Sequence, residues 1–228
     1  MTRDVYDLIE GYMQTCMTDN AHDCEHIYRV LYVALDIART EPDADRDVLI
    51  CACLLHDIGR MEQFENPALD HAQVGADKAL RFLREHGFDE EFARRVSDCI
   101  RAHRYRAANP PRSIEAQILF DADKIDVSGA IGIARTLIYD GQVGEPLYTL
   151  GSDSQVLDGQ GDAAPSFFHE YRFKLEKLYE RFYPARAAQI AAQRRLAAEQ
   201  VYHNLLDEVR GAYPVSYTHL DVYKRQAL

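Results

Sequence analysis

The sequence lacks the patterns that mark secretion, membrane insertion and disulfide frameworks. Its five cysteines are odd in number and form no C-x-x-C pair, so we expect a reducing compartment and free thiols. Residues 1–7 are polar and carry no apolar core of a signal peptide. No apolar run approaches the roughly 20 residues that a membrane span needs. These absences predict a cytoplasmic protein that does not contact a membrane.

Basic residues are too few for a surface that coats nucleic acid. The 228 residues include 26 Lys and Arg against 37 Asp and Glu, which gives a net charge of -11. If the substrate is an anion, bound cations must offset the repulsion between the substrate and the negatively charged protein. Hydrophobic residues make up 47% of the chain, enough to bury a sizeable core. A homodimer stays open, because an acidic surface does not decide oligomerisation.

Apolar residues recur at helical spacing along nearly the whole chain, and no segment has a convincing strand pattern. The sequence therefore predicts an all-α fold. Asp23 and Ser113 are placed to cap helices, and the first helix begins at about Thr2. The segment 61–66 is less regular, and Pro67 suits the first turn of the next helix. The predicted helices cover residues 2–17, 24–39, 46–57, 67–87, 90–103, 113–126, 129–138, 166–182 and 184–210.

The predicted organisation is one helical domain over residues 1–212. Its core covers about 20–135, and its C-terminal helices cover about 165–210. The glycine-rich segment 140–164 is predicted to be a long loop or lid, because connections of this length are often functional. The tail 213–228 shows no continuity with the helix before it and resembles a non-native segment, so we exclude it from the argument.

One apolar helix ends in two adjacent polar residues, His56 and Asp57. Buried polar groups cost several kcal/mol unless they are paired or bind a ligand. Imidazole nitrogen and carboxylate oxygen are ligands of divalent metals, which makes a metal site one interpretation. The alternative is an ordinary helix terminus, since Gly59 follows at once and histidine favours a helix C-terminus.

Other polar residues also lie on or after apolar helices. His26 lies on the edge of an apolar stripe and shares a face with His22 if both are helical. His71 and His103 lie at similar positions later in the chain. The segment 121–126 places three carboxylates behind an apolar run. Each residue alone is better explained as a structural group, but together they form the order H…HD…H…H…D.

This ordered set resembles the HD-domain superfamily of metal-dependent phosphohydrolases. Segment 22–30 is similar to the family's first ligand segment, and 54–60 to the HD signature. Segment 71–76 is similar to the third ligand segment, and 121–126, followed by 129–132, to the closing aspartate segment. The resemblance covers about residues 20–135. It implies an orthogonal helical bundle, with the additional C-terminal helices outside the matched part and a metal held between helices.

The resemblance also implies a ligand set. His26, His56, Asp57 and Asp123 match the family's four metal ligands. One or two divalent ions are expected, and manganese, iron, magnesium, cobalt, nickel and zinc all remain open. Asp57 is also a catalytic candidate, as a proton acceptor or by orienting water.

Further residues are expected to support this set. His71 and His103 match histidines that, in a subset of the family, help hold a second metal or contact phosphate. Cations next to ligands in sequence are candidates for phosphate binding, and Lys124 is also a catalytic candidate. These phosphate-binding candidates are Arg60, Arg104 and Lys124. Three further residues are expected either to be alternative metal ligands or to hold a ligand in place: His22, Asp121 and Asp126.

The resemblance implies hydrolysis of a phosphoester or phosphoanhydride bond by attack of metal-bound water. A small phosphorylated molecule, with a nucleotide as the leading candidate, is the expected substrate, so nucleotidase, nucleotide pyrophosphatase and phosphodiesterase activities remain open. The Glu-Asp pair of stringent-response hydrolases and the Gly-Tyr-Pro extension of cyclic-di-GMP phosphodiesterases are absent. Alternatives are a di-iron oxygenase in a related bundle and a non-catalytic nucleotide-binding regulatory domain.

Overall fold

The structure is a computed structural model that describes residues 1–17, 24–104, 109–162 and 164–212. Within these ranges the regular elements are helices, apart from one isolated β-bridge between Leu150 and Val156. This confirms the all-α prediction. The α-helices are α1 (Arg3–Cys16), α2 (Cys24–Ile37), α3 (Arg46–Leu55), α4 (Arg60–Glu65), α5 (His71–Glu85), α6 (Glu90–Ala102), α7 (Ile114–Asp126), α8 (Gly129–Val143), α9 (Phe167–Phe173) and α10 (Ala185–Ala212).

Several helix starts follow directly from the sequence. The Thr2 hydroxyl accepts a hydrogen bond from a backbone N–H in the first turn of α1, and Ser113 does the same for α7. The Asp45 carboxylate caps α3 in this way. Asp23, predicted to cap α2, lies outside the described residues, as do His22 and the tail 213–228.

Two predicted boundaries around α4 and α5 are wrong. Residues 60–65 form a helix rather than the irregular segment expected. The next helix begins at His71 and not at Pro67, because the Asp70 carboxylate accepts the hydrogen bond of the Ala72 amide and so caps α5. His71 therefore lies in the first turn of its helix.

The C-terminal part also departs from the predicted boundaries. Helix α8 continues to Val143 and ends where Gly144 adopts a positive φ of 76°. The predicted single helix over 166–182 is wrong, since the chain leaves the helical conformation at Lys174 and continues as a 3-10 helix, Leu175–Lys177. Leu175 is buried in the apolar cluster of this part of the chain.

The described residues divide into two units, and the first consists of those within 1–127 and 181–191. Helix α3 is its centre, because the side chains of 48–49 and 51–55 are all buried. Helices α1, α2, α5, α6 and α7 pack against α3. An apolar helix covered on all sides in this way can carry its C-terminal residues into the interior.

The second unit consists of 128–180 and the described residues from 192 onward. Its core is aromatic, with Tyr171 and Tyr202 stacked at 4.0 Å between ring centroids. The Tyr202 hydroxyl donates to the carbonyl oxygen of Asp158, which satisfies its buried polar end. The organisation as one domain over 1–212 and the lid role of 140–164 stay predictions. Among the described residues, none of the helices combines the length and apolar character needed to cross a membrane.

Candidate metal centre

The turn after α3 places His56 and Asp57 in the interior of the first unit. Their side chains are almost fully buried, with residue exposures of 0% and 1%. Burying two such groups costs several kcal/mol unless each finds a partner. The side chains and backbone atoms that surround His56 and Asp57 therefore determine the chemistry of this pair.

Glycine at position 59 lets α5 approach this turn. A Cβ atom on Gly59 would lie 2.4 Å from the His71 carbonyl oxygen and 2.6 Å from the Gly75 amide nitrogen. A Cβ on Gly75 would lie 3.3 Å from the carbonyl oxygen of His56. Because a closely packed interior has no room for the overlap at position 59, and little room for a Cβ at position 75, the two glycines allow His71 to lie beside Asp57.

Four other helices supply the remaining donors. His26 comes from α2, His71 begins α5, His103 is the C-cap of α6, and Asp123 comes from the last turns of α7. The three histidines are buried, whereas the Asp123 side chain is 22% exposed. The structure thus brings the residues matched to metal ligands and both extra histidines into one place.

The first group of donors, here called the first site, consists of His26, His56 and Asp123, whose donor atoms lie within 4.8 Å of one another. His26 Nε2 lies 3.3 Å from Asp123 Oδ1 and 3.3 Å from His56 Nε2. Asp57 Oδ2 lies 3.5 Å from His26 Nε2 and 3.6 Å from His56 Nε2. With Asp57 included, the first site offers two imidazoles and two carboxylates, a donor set suited to divalent metals.

The second group, here called the second site, consists of Asp57, His71 and His103, also within 4.8 Å of one another. Asp57 Oδ1 lies 3.4 Å from His71 Nε2 and 3.5 Å from His103 Nε2. The two carboxylate oxygens of Asp57 therefore face different sites. This arrangement allows one side chain to serve two ions.

Hydrogen bonds to backbone carbonyls orient two of the rings. Nδ1 of His56 lies 2.7 Å from the carbonyl oxygen of Cys53, and Nδ1 of His103 lies 2.6 Å from that of Ile100. Because a carbonyl oxygen only accepts hydrogen bonds, each Nδ1 carries the proton. In the neutral ring, the lone pair of Nε2 then faces Asp57.

Three buried acceptors of the second site have no hydrogen-bond partner within the described part of the chain. They are Asp57 Oδ1, His71 Nε2 and His103 Nε2. Acceptors that face one another at these distances repel unless a cation lies between them. The residues present therefore fit a bound divalent metal.

The ionisation states at this site also favour a metal. Burial would raise the pKa of Asp57, but His56 and Arg60 beside it hold that pKa well below its usual value. Burial lowers the pKa of His56 to about 4 and that of His71 to about 3. At neutral pH the carboxylate is ionised and both rings are neutral, which are the forms that bind metals.

His26 behaves differently from the other rings. Burial would lower its pKa, but hydrogen bonds to Asp123, Asp126 and Asp57 raise it to about 11. The same contacts with His26 hold the pKa of Asp123 well below its usual value, against the effect of burial. A metal that binds the first site must therefore displace a proton from His26.

Comparisons with known proteins support the same interpretation. The HD domain family model matches residues 24–128, which contain both sites. YpgQ of Bacillus subtilis, an uncharacterized protein, is 30% identical over 209 residues, which cover 89% of this chain and 93% of YpgQ. The chain belongs to the HD superfamily of hydrolases. This confirms the predicted HD-domain fold.

Solved structures of HD proteins match most of the chain. Crystalline YpgQ in complex with ADP has a TM-score of 0.70 at 27% identity, covering 90% of this chain and 98% of YpgQ. An HD-superfamily hydrolase from Bacillus thuringiensis has a TM-score of 0.69 at 26% identity, covering 90% and 97%. The 3'-5' exoribonuclease YhaM of Bacillus subtilis is 27% identical over 115 residues, which are 44% of this chain and 37% of YhaM.

Two of the predicted phosphate-binding cations lie close to the first and second sites. Arg60 Nε donates to Asp57 Oδ2, and its side chain remains 31% exposed. Arg104 donates to the Asp70 carboxylate at 3.2 Å, at the start of the helix that carries His71. Arg60 therefore lies beside the Asp57 oxygen that faces the first site, and Arg104 lies near the start of the helix that carries His71 of the second site.

Other predicted residues point elsewhere. Lys124 Nζ lies 3.2 Å from the Arg181 carbonyl oxygen and 4.4 Å from the centre of the Phe182 ring. Asp121 is fully buried, and its Oδ2 accepts a hydrogen bond from the Tyr183 amide at 2.6 Å. Neither residue belongs to the two groups of donors. Successive residues of an α-helix are rotated by about 100°, so positions 121 and 124 point away from the direction in which Asp123 points. The catalytic role of Lys124 stays a prediction.

Asp126 holds the ring of His26 in place. Its Oδ2 lies 2.8 Å from His26 Nδ1, and its Oδ1 accepts from Arg29 Nε at 2.8 Å. A carboxylate in this position fixes the ring orientation and raises the basicity of the ligating nitrogen. Arg29 is a supporting residue that the sequence analysis missed, although its position three residues after His26 places it on a neighbouring part of the same helix face.

Proposed function

We propose that the chain is a metal-dependent phosphohydrolase of a small phosphorylated molecule, with a nucleotide as the leading candidate. The observation that carries this proposal is the buried arrangement around Asp57. Its Oδ1 faces Nε2 of His71 and His103 without a hydrogen-bond partner among the described residues. The HD hydrolase family gives this donor arrangement a hydrolytic context.

In this proposal Asp57 is shared by both sites, with one oxygen directed to each. Divalent ions held there would lower the pKa of a coordinated water and offset negative charge on the phosphoryl oxygens. The carboxylate stays ionised at neutral pH, because its pKa is held well below the usual value. Asp57 thus acts mainly by holding and orienting, and it is a weak proton acceptor.

Phosphate oxygens need cations besides the metals, and Arg60 and Arg104 are proposed to supply them. The planar guanidinium group donates two parallel hydrogen bonds to an oxyanion. Arg60 already contacts Asp57 and remains partly exposed, so it can reach both a ligand and a substrate. Arg104 is similarly 28% exposed beside Asp70.

A nucleotide is favoured because the YpgQ crystal structure contains ADP and covers 90% of this chain at 27% identity. The shorter match to the exoribonuclease YhaM makes the end of an RNA chain the competing substrate. The net charge of -11 favours the small molecule, since an acidic protein repels a long polyanion.

The test is a substrate screen on the purified chain after removal of metals by a chelator. Release of phosphate and of pyrophosphate is measured over nucleoside mono-, di- and triphosphates, with Mn²⁺, Mg²⁺, Co²⁺ and Ni²⁺ added in turn. Release of nucleoside monophosphates from a short oligoribonucleotide is measured with the same metals, and oxygen uptake is measured with Fe²⁺. The matched variants are Asp57→Ala in the site and Asp207→Ala on the exposed surface of α10.

The expected result is metal-dependent turnover of a nucleotide that Asp57→Ala abolishes and Asp207→Ala preserves. Turnover that survives Asp57→Ala contradicts the proposal. Oxygen uptake without phosphate release would favour the di-iron oxygenase instead, and nucleotide binding without turnover would favour the regulatory domain. Hydrolysis of the oligoribonucleotide alone would replace the small substrate by RNA.

A further inference from the structure

The four histidines of the two sites differ in what holds their Nδ1 atoms. Backbone carbonyls three residues earlier hold His56 and His103. Side chains hold the other two, since Nδ1 of His26 bonds to the Asp126 carboxylate and Nδ1 of His71 bonds to Gln63 Oε1. Each site therefore contains one ring whose orientation depends on a side chain from elsewhere.

Gln63 is well placed for this role, because the short helix α4 that carries it is fixed in position. Lys78 of α5 donates to the Ile58 carbonyl oxygen at 2.7 Å and to Glu62 Oε1 at 2.6 Å. Arg60 in the first turn of α4 binds Asp57. These contacts hold the turn before α4 and the part of α4 that precedes Gln63 against the site.

The amide of Gln63 also differs chemically from the carboxylate of Asp126. Its oxygen accepts the Nδ1 proton of His71 and so directs the Nε2 lone pair toward Asp57 Oδ1, 3.4 Å away. A neutral amide raises the basicity of that nitrogen less than a carboxylate does. The second site also has Asp57 as its single carboxylate, whereas the first site has Asp123 as well.

We propose that Gln63 is a positioning residue that orients His71 for a metal ion in the second site and keeps that site the weaker of the two. This inference rests on the proposed metal-dependent function and goes beyond it by assigning a role to a residue outside the donor groups. The neutral partner makes the second ion exchangeable, while the carboxylate-backed first ion is retained.

The test is a titration of the metal-free full chain with Mn²⁺ alone. Calorimetry and the electron paramagnetic resonance signal of free Mn²⁺ measure the binding. The variants are Gln63→Leu, which removes the acceptor, and Gln63→Glu, which restores it with a charge. Gln200→Leu on the exposed face of α10 is the matched control. Nitrogen-15 NMR of the histidine rings reports the tautomer of His71 independently of activity.

Wild type and the control are expected to bind two ions of unequal affinity. Gln63→Leu should weaken the weaker ion by about 10- to 100-fold, the usual effect of losing a group behind a ligand, and leave the tighter ion unchanged. Gln63→Glu should bind the weaker ion more tightly than wild type does. In the NMR spectra, His71 should lose its single tautomer only in Gln63→Leu.

Two ions bound equally well by wild type and Gln63→Leu would overturn this inference and leave the proposed function intact. A wild-type chain that binds a single ion would also overturn it, while still allowing a one-metal hydrolase. A wild-type chain that binds no Mn²⁺ would overturn the proposed function itself, and this inference with it.

Discussion

The substitution Gly59→Ala tests how the two sites are brought together. The new Cβ would lie 2.4 Å from the His71 carbonyl oxygen and 2.6 Å from the Gly75 amide nitrogen, whereas ordinary contact begins at 3.4 Å. The start of α5 must therefore move by about 1 Å away from the turn that carries Asp57. Inserting a methyl group into a closely packed interior costs typically about 1–3 kcal/mol of unfolding free energy.

This movement should affect the second site more than the first. His71 Nε2 is 3.4 Å from Asp57 Oδ1, so a displacement of that size separates the donors of one ion. Misplacement by about 1 Å can cost on the order of 100-fold in rate. We expect Gly59→Ala to lose about 1–3 kcal/mol in urea unfolding of the metal-free protein. We also expect weaker binding of one Mn²⁺ and about 100-fold less turnover.

Gly11→Ala is the matched control, because the residue is inside α1 and no atom beyond the nearby backbone of that helix lies within 4 Å of the new Cβ. Alanine is favoured over glycine within helices by about 0.5–1 kcal/mol, so this variant should unfold at slightly higher urea concentration. If Gly59→Ala binds two Mn²⁺ and turns over like wild type, the close approach of α5 does not build the second site.

Three further predictions follow from the same geometry. Asp126→Asn should weaken the tighter Mn²⁺ by about 10- to 100-fold in calorimetry, because His26 loses the carboxylate behind it, and unchanged affinity would contradict that role. Binding of Mn²⁺ at pH 8 should release about one proton, because the pKa of His26 is raised to about 11 without metal, and titrations in buffers of different ionisation enthalpy measure that proton. The metal-free protein should lose stability as pH falls from 6.5 toward 4. Burial lowers the pKa of His56 to about 4 and that of His71 to about 3 in the folded protein. In this pH range the unfolded chain therefore binds more protons than the folded protein does, which favours unfolding. Each of the two rings contributes a slope of at most about 1.4 kcal/mol per pH unit, and urea unfolding free energies that stay constant between pH 7 and pH 5 would refute the assignment.

Much of the fold could be predicted because helix signals are local. Apolar spacing and capping side chains such as Thr2 and Ser113 lie within one turn of the helix that they begin. The start of α5 was missed although its cap, Asp70, is local. Another failure came where a tertiary contact decides. The departure from helix at Lys174 places Leu175 in an aromatic core that is built from distant parts of the chain.

The acidic segment of α7 shows how far a sequence can specify a site. Its spacing predicts that Asp121 and Asp123 point in different directions and that Asp126 can share the face of Asp123, but not which direction faces the histidines. The structure directs Asp123 to His26 Nε2, Asp126 to His26 Nδ1 and Asp121 to the Tyr183 amide. The partner at 183 is far along the chain and could not have been identified from the spacing.

Gln63 was missed for a related reason. It lies in a segment without clear apolar periodicity, and its partner His71 begins the next helix. A single polar residue of this kind carries no signal until the packing of α4 and α5 is known. Lys124, by contrast, was emphasised because it follows Asp123 in sequence, yet adjacent residues on a helix point different ways.

The most direct test of the central claim is an anomalous diffraction map from crystals of the chain soaked in Mn²⁺. We expect one peak among His26, His56, Asp123 and Asp57 Oδ2, and a second among His71, His103 and Asp57 Oδ1. In crystals of Asp57→Ala both peaks should weaken, since that residue serves each site. A map without a peak beside Asp57 in the wild-type protein would contradict metal binding at both sites.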